Sequence, residues 1–411
     1  MVIESVFFKE NRQRLSSRIP DNSAVFIFSG APSKISGDTD ARFLPDRNFY
    51  YLTGISAQGF ILLISKIEGE IREKIYIEDP KDRLKARWNG KRLSFDEISK
   101  AGAFAPEDIE INNAFESESY KLIKEHELGV FMDGSSIMEA PRIFRESLSA
   151  ITDDVTDIAD ILTSMRLIKD QREVNAIREA ARLTEEAIAD TKKIIKPGIS
   201  EYDIYIKLEY EMARRGVLIP AFETIVSVGD NAFYLHHSVP EADRTVAPGC
   251  QIQIDVGARA AGYCGDISRV FFVGGEKDLR YELLGLIRKL RHTAFDIIKP
   301  GETFASLNKA MYDIVGDFLV EHKILPENHT EEDVRRYYWH NIGHQLGLDV
   351  HDVGDRNKPL EAGNCIAVEP GVYIPEWGTG FRIEDDVLVT ADGCELLSSG
   401  TDDPEDIIID V

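Results

Sequence analysis

Cysteine is scarce in this chain. Cys250, Cys264, Cys365 and Cys394 are the four among 411 residues, and they form no CxxC pair and no dense framework. A disulfide-stapled scaffold and the common thiolate zinc motifs are excluded, and the pattern fits a compartment in which thiols stay reduced. The four are read as core or strand residues without a chemical role. Long apolar runs are missing too: no segment reaches the roughly 18 consecutive apolar residues of a membrane-spanning helix. The opening "MVIESVFFKENRQRL" lacks the basic region, apolar run and small-residue cleavage site of a secretory signal. Basic residues are outnumbered, 48 Lys and Arg against 72 Asp and Glu, for a formal charge of −24. Such a field repels phosphate backbones and anionic bilayers, so neither nucleic acid nor a membrane is expected as a partner. The expected location is the cytoplasm.

With 43% apolar and 9% aromatic residues there is ample material for packed cores, and the length exceeds what one ordinary core serves. Two domains are predicted, 1–160 and 161–411. In the first, "AVFIFSG", "GFILLIS", "KIYIED" and "LGVFMDG" read as strands, and "DRLKARW" and "SESYKLIKEH" between them as helices, which makes an α/β domain. No catalytic constellation occurs there. The second domain opens on "MRLIKDQREVNAIREAARLTEEAIADTKKIIKPG". In that stretch Val174, Ile177, Ala181 and Ile188 fall at helical spacing, and Pro197-Gly198 ends the helix.

The second domain repeats itself. "IIKPG" occurs at 194–198 and again at 297–301, each time between two helical patterns. "APGCQIQIDVG" (247–257) has a counterpart in "EAGNCIAVEPG" (361–371): a Gly, a carboxylate six residues on, and a further Gly two residues later. Each strand is followed by another that carries an acid, Asp266 in "GYCGDISRVFFV" and Glu384 in "GFRIEDDVLV". Two such units about a pseudo-twofold axis would bring four carboxylates together. Alternation along "QIQIDVG" puts Gln251, Gln253 and Asp255 on one strand face, away from Ile252 and Ile254. Converging acids repel one another and resist burial, and divalent cations relieve both effects.

Three of the nine histidines, His340, His344 and His351, lie in "WHNIGHQLGLDVHD". His340 and His344 have the spacing of the helical HExxH zinc motif, but Asn341 stands where that motif has Glu. Gly343 and Gly347 would each cost a helix about 1 kcal/mol. A glycine-rich, sheet-associated segment is therefore predicted, in which a missing side chain admits a close neighbour. Carboxylates with one imidazole form a hard donor set suited to Mn, Co or Zn. A pair of such ions ~3.5 to 4 Å apart is hydrolase machinery.

The motifs "IDVG", "YCGDISRVF", "HNIGHQLGLDVHD", "VEPGVY" and "FRIEDD", in this order, resemble those of the pita-bread metallopeptidases, and among them the Xaa-Pro aminopeptidases (aminopeptidase P) and prolidases. "MRLIKDQREVNAIREAA" looks like the start of their catalytic domain, and "FLPDRNFYYLTG" like the N-terminal domain of aminopeptidase P. The resemblance implies an aminopeptidase P-type α/β domain followed by a pseudo-twofold pita-bread catalytic domain. It implies that Asp255, Asp266, His344, Glu369 and Glu384 hold two divalent metal ions, Asp266 and Glu384 bridging them. Metal-independent relatives such as creatinase lack this set. Glu369 would also shuttle the proton for a metal-bridging hydroxide and for the leaving nitrogen.

By the same resemblance His340, His351 and His236 hold the substrate carbonyl and stabilise the tetrahedral intermediate. His237 would be a bystander, and Arg382 would orient Glu384, bind a substrate carboxylate or form a local ion pair. The implied substrate is a peptide with proline second, whose tertiary amide lacks the N–H that general peptidases grip. Prolidase action on dipeptides alone is the alternative, because the connection "PGVYIPEWGTGFRI" beside the site is shorter than in many bacterial aminopeptidases P. A non-catalytic binding protein is the reading from another class. A homodimer or homotetramer is expected.

Overall fold

The computed structural model describes residues 2–410 apart from 135, 137, 153, 275–277 and 401–403. The chain divides into two compact units, Val2–Arg166 and Leu167–Val411. In the first, a six-stranded mixed sheet runs in the order Ile109–Ile111, Glu70–Ile77, Ile61–Ile67, Ser23–Phe28, Gly129–Met132, Val155–Asp157. Every residue of Ser23–Phe28 is buried, as expected of a central strand covered on both faces. The predicted helices are present as Arg83–Asn89 and Phe115–His126. The rings of Phe26, Phe28, Tyr76, Phe115 and Phe144 fill one side of the sheet in edge-on and tilted contacts.

The second unit is built twice over. Helices Gln171–Lys192 and Glu201–Arg214 precede strands Ile225–Val228, Gln251–Val256 and Ile267–Val273; helices Leu279–Ile297 and Phe304–Glu321 precede strands Gly343–Gln345, Cys365–Val368 and Asp385–Val389. In each half the three strands pair antiparallel in that order. The helices start where the sequence supplies capping boxes, Asp170 with Glu173, Ser200 with Asp203 and Thr303 with Ser306.

The repeated turns match bond for bond. Gly198 and Gly301, with φ of 89° and 96°, donate to the carbonyls of Val246 (2.8 Å) and Leu360 (2.9 Å). Gly249 and Gly363, with φ of 82° and 95°, donate to Val273 (2.7 Å) and Val389 (2.8 Å). Only glycine takes these left-handed conformations without strain, so the repeated Gly has a backbone cause.

Each half has its own core, and the strand Ile267–Val273 serves both. Ile267, Phe271 and Val273 join the first core, with Ile252, Ile254 and Val256; Val270 and Phe272 join the second. Burial of such side chains contributes on the order of 1.5 to 3 kcal/mol each. Among the described residues no helix is long and apolar enough to cross a membrane.

Candidate metal centre

The polar face predicted for Gln251–Val256 is turned toward the second half. The Gln251 amide donates to the Gly380 carbonyl at 3.0 Å, and Gln253 Oε1 accepts the Arg382 N–H at 3.0 Å. Asp255 follows on the same face. Asp266 directly precedes Ile267–Val273, and its N–H is held by both oxygens of buried Asp386, at 3.1 and 3.3 Å. The Glu384 N–H donates to the Ser268 carbonyl at 3.1 Å, and the Glu384 carbonyl accepts from Arg269 Nη1 at 2.6 Å. Backbone contacts between the halves thus bring the acids of the two hairpins together.

Glu369 follows Cys365–Val368, its N–H donating to Ile342 at 2.8 Å. His344 is the middle residue of the short strand Gly343–Gln345. A Cβ on Gly343 would lie 1.9 Å from the Ala367 carbonyl oxygen, so glycine is required for this pairing. The stretch is a sheet edge and not a helix, as its glycines predict.

Ligand atoms of Asp266, His344 and Glu384, all three buried, lie within 4.8 Å of one another. His344 Nε2 is 3.4 Å from Asp266 Oδ2 and 3.9 Å from Glu369 Oε1. Its Nδ1 is 3.1 Å from the Gln345 carbonyl; a carbonyl only accepts, so Nδ1 carries a proton and Nε2 is the nitrogen turned toward the acids, protonated in the imidazolium and a metal donor in the neutral ring. Asp255 is turned differently: Oδ2 accepts from Arg382 Nη2, and buried Oδ1 has no hydrogen-bond partner among the described residues. Arg382 therefore pairs with Asp255, not with Glu384 two residues away, and its Nη2 also reaches the Leu235 carbonyl at 3.0 Å.

The electrostatics are those of crowded buried acids. Burial, reinforced by Asp266, Asp255 and Glu369, holds Glu384 well above the usual carboxylate range. Burial lifts Asp266 to about 6 against the opposing pull of His344. It lifts Glu369 to about 7, with His344 and Arg382 opposing and Asp266 and Asp255 adding. At His344 burial disfavours the imidazolium, but Asp266 and Glu369 outweigh it and the pKa rises. An acid cluster this costly, with an orphaned carboxylate oxygen and a histidine nitrogen aimed into it, fits a divalent cation, which would take the place of the protons.

This group lies on the wall of a cavity of about 490 Å³ that is also lined by His236, His340, His351, Arg356, Trp339 and Arg382. The His351 ring stands 4.1 Å from that of His344, centre to centre. Burial lowers His340 to about 4, and partial desolvation with the nearby cationic groups His344, Arg356 and His236 lowers His351, exposed as a residue, to about 4, so both are neutral near pH 7. His340 Nδ1 faces the Asn341 carbonyl at 3.0 Å and Nε2 faces the Tyr373 hydroxyl at 3.3 Å. As the neutral ring its N–H goes to Asn341 and it accepts from Tyr373. His236 is exposed at the rim, whereas His237 Nε2 turns inward to buried Glu201 at 2.8 Å. Tyr373 and Asp386, the last residues of the motifs "VEPGVY" and "FRIEDD", receive no role from the sequence; Tyr373 stands between Val372 and Ile374, and Asp386 is the third of three consecutive acids.

Residues 175–391 match the family model described as metallopeptidase family M24, and residues 8–131 match that of the aminopeptidase P N-terminal domain. The chain belongs to metallopeptidase family M24. Its two-domain architecture is that of aminopeptidase P. Xaa-Pro aminopeptidase of Haemophilus influenzae is 30% identical over 95% of this chain and 94% of its own. Xaa-Pro aminopeptidase of Escherichia coli is 28% identical over 97% and 96%. The solved structure of Escherichia coli aminopeptidase P with the inhibitor Pro-Leu superposes with a TM-score of 0.90 at 26% identity, covering 99% of this chain and 98% of that one.

Proposed function

We propose that this M24 metallopeptidase removes the N-terminal residue from peptides with proline in second position. The observation that carries the reading is the buried Asp266–His344–Glu384 cluster on the wall of a cavity that also presents His236, His340 and His351. Asp255, Asp266, His344, Glu369 and Glu384 would hold two divalent ions, and the oxygen-rich set favours manganese over cobalt or zinc. Bound there, the cations supply Lewis-acid polarisation of a carbonyl and acidify water.

The chain's own residues do the rest. Side-chain exposure is 21% for Glu369 against 8% for Asp255 and 7% for Asp266, so Glu369 is the acid best presented to the cavity. It takes the proton of the attacking water and delivers it to the proline nitrogen. His236 and His351 steady the substrate carbonyl and the charge that develops on it. His340 joins them as a donor only after gaining a proton or giving up the Asn341 carbonyl. Arg382 acts on Asp255, a role supported by their contact and by the burial of both side chains. Copies of the chain would associate as a homodimer or homotetramer, to be read by light scattering.

Hydrolysis of an Xaa-Pro dipeptide and of an Xaa-Pro-Yaa tripeptide, each with manganese and with a chelator, tests the reading. Metal-dependent cleavage of the tripeptide is expected. Cleavage of the dipeptide alone would make the protein a prolidase, a reading favoured by the tight hairpin in which Gly371–Ile374 pairs with Thr379–Arg382 around Pro375–Trp377. A purified protein that holds no Mn, Co or Zn and stays inert after metal is added would make it a non-catalytic binding protein.

A further inference from the structure

Glu201, the first residue of the helix Glu201–Arg214, is 0% exposed. A carboxylate in that position needs donors, and those it finds all come from one segment. Oε2 accepts the Val228 N–H at 2.7 Å and Asn231 Nδ2 at 3.0 Å. Oε1 accepts His237 Nε2 at 2.8 Å, the Glu241 N–H at 2.9 Å and Asn231 Nδ2 at 3.2 Å.

That segment leaves the strand Ile225–Val228 through the turn Gly229–Phe233, and from 234 to 244 it forms neither helix nor strand. It also carries Leu235, His236 and Ser238, which line the cavity. It has turn bonds of its own, from the N–H groups of Tyr234, His237 and Ser238 to the carbonyls of Asn231, Tyr234 and His236, but no ladder, and side-chain bonds tie it to the rest of the fold. Arg382 takes the Leu235 carbonyl at 3.0 Å on the cavity side, and Glu201 takes the four donors on the other. His237 is thus half of the attachment by which its neighbour His236 is presented.

We propose that Glu201 is a positioning residue for His236, acting through Asn231, His237 and the amides of Val228 and Glu241. The inference rests on the proposed role of His236 in holding substrate. Glu201→Gln keeps the volume but replaces one acceptor oxygen by an NH₂ that faces N–H donors.

Amide exchange over residues 228–241 should quicken in the full-length Glu201→Gln protein. With an Xaa-Pro-Yaa tripeptide, kcat/KM should fall about tenfold or more, through the same parameter, kcat or KM, that His236→Ala changes. The double variant should lose no more than His236→Ala alone, since residues acting as one unit are not additive. Manganese binding by calorimetry should be unchanged. His237→Ala, which removes one donor only, should move the same readouts less and serves if Glu201→Gln does not fold. Unchanged exchange, unchanged kcat/KM or additive losses would overturn the proposal. A wild-type protein that cleaves no Xaa-Pro peptide would count against the proposed function instead, because exchange reports the anchor without any turnover.

Discussion

Arg382 and Asp255 meet side chain to side chain across 127 residues of sequence, guanidinium Nη2 against carboxylate Oδ2, with 3% and 8% of the two side chains exposed. One oxygen of Asp255 is thereby neutralised by protein, and the other has no hydrogen-bond partner among the described residues, as the proposed cation site requires. Arg382 thus sets the charge of the site without being one of its ligands.

Removing Arg382 should leave an unpaired carboxylate beside buried Asp266 and Glu384 and half-buried Glu369. Arg382→Ala is expected to lower the stability of the metal-free protein by about 3 to 5 kcal/mol, the usual cost of breaking a buried pair. Added manganese should restore part of the loss, because a cation that binds only the folded state stabilises it. Calorimetric melting with and without manganese measures both effects; equal melting of the two metal-free proteins would contradict the pairing.

Glu369→Ala should abolish measurable turnover, general acid–base groups contributing roughly 10²- to 10⁴-fold. His351→Ala should lower turnover while the metal is retained. Metal content by atomic emission, beside kcat on an Xaa-Pro-Yaa peptide, separates these roles. Complete metal loss in His351→Ala would move that residue into the ligand set.

Lys169 and Asp352 pair at 3.1 Å with 1% of each side chain exposed, and Asp352 directly follows His351. Lys169→Ala should destabilise the protein by about 3 to 5 kcal/mol in urea unfolding. The double change Lys169→Met with Asp352→Leu should cost less than the sum of the single changes, as it leaves no lone buried charge. Additive costs would show that the two do not act as a pair.

Glu173 supplies a pH test away from the metal ligands. It is buried, accepts from Tyr263 at 2.7 Å, and burial raises it from 4.5 to about 7. Between those values the folded chain binds the proton more tightly than the unfolded one. Stability from this group is therefore complete below about pH 4.5 and is lost as pH rises through 7, by up to roughly 3 kcal/mol at about 1.4 kcal/mol per unit. In Glu173→Gln that component of the slope should vanish, which unfolding curves at pH 5, 6, 7 and 8 would detect.

Much of this was legible in the sequence, where spacing encodes direction. Alternation in "QIQIDVG" put Asp255 on the polar face, and the repeated Gly and acid spacing pointed to a duplicated hairpin whose turns prove to share their hydrogen bonds. Glycines in "HNIGHQLG" argued against a helix, and Gly343 meets the Ala367 carbonyl as that reasoning requires. Partners set by packing between distant hairpins were not legible. Proximity along the chain pointed Arg382 toward Glu384, yet the packed hairpins carry it to Asp255. Neither Asp386 under the Asp266 amide nor Tyr373 beside His340 is marked by periodicity: Asp386 is the third of three consecutive acids, and Tyr373 a single polar residue between Val372 and Ile374.

The strand Ile267–Val273 gives Ile267, Phe271 and Val273 to one core and Val270 and Phe272 to the other. Neither half can melt without stripping a face from this strand and exposing apolar rings to water. The catalytic unit is thus bound to unfold in one cooperative step, and a fragment holding a single half would carry a sticky, half-covered strand. The duplication that assembles the acids also removes the independence of its copies.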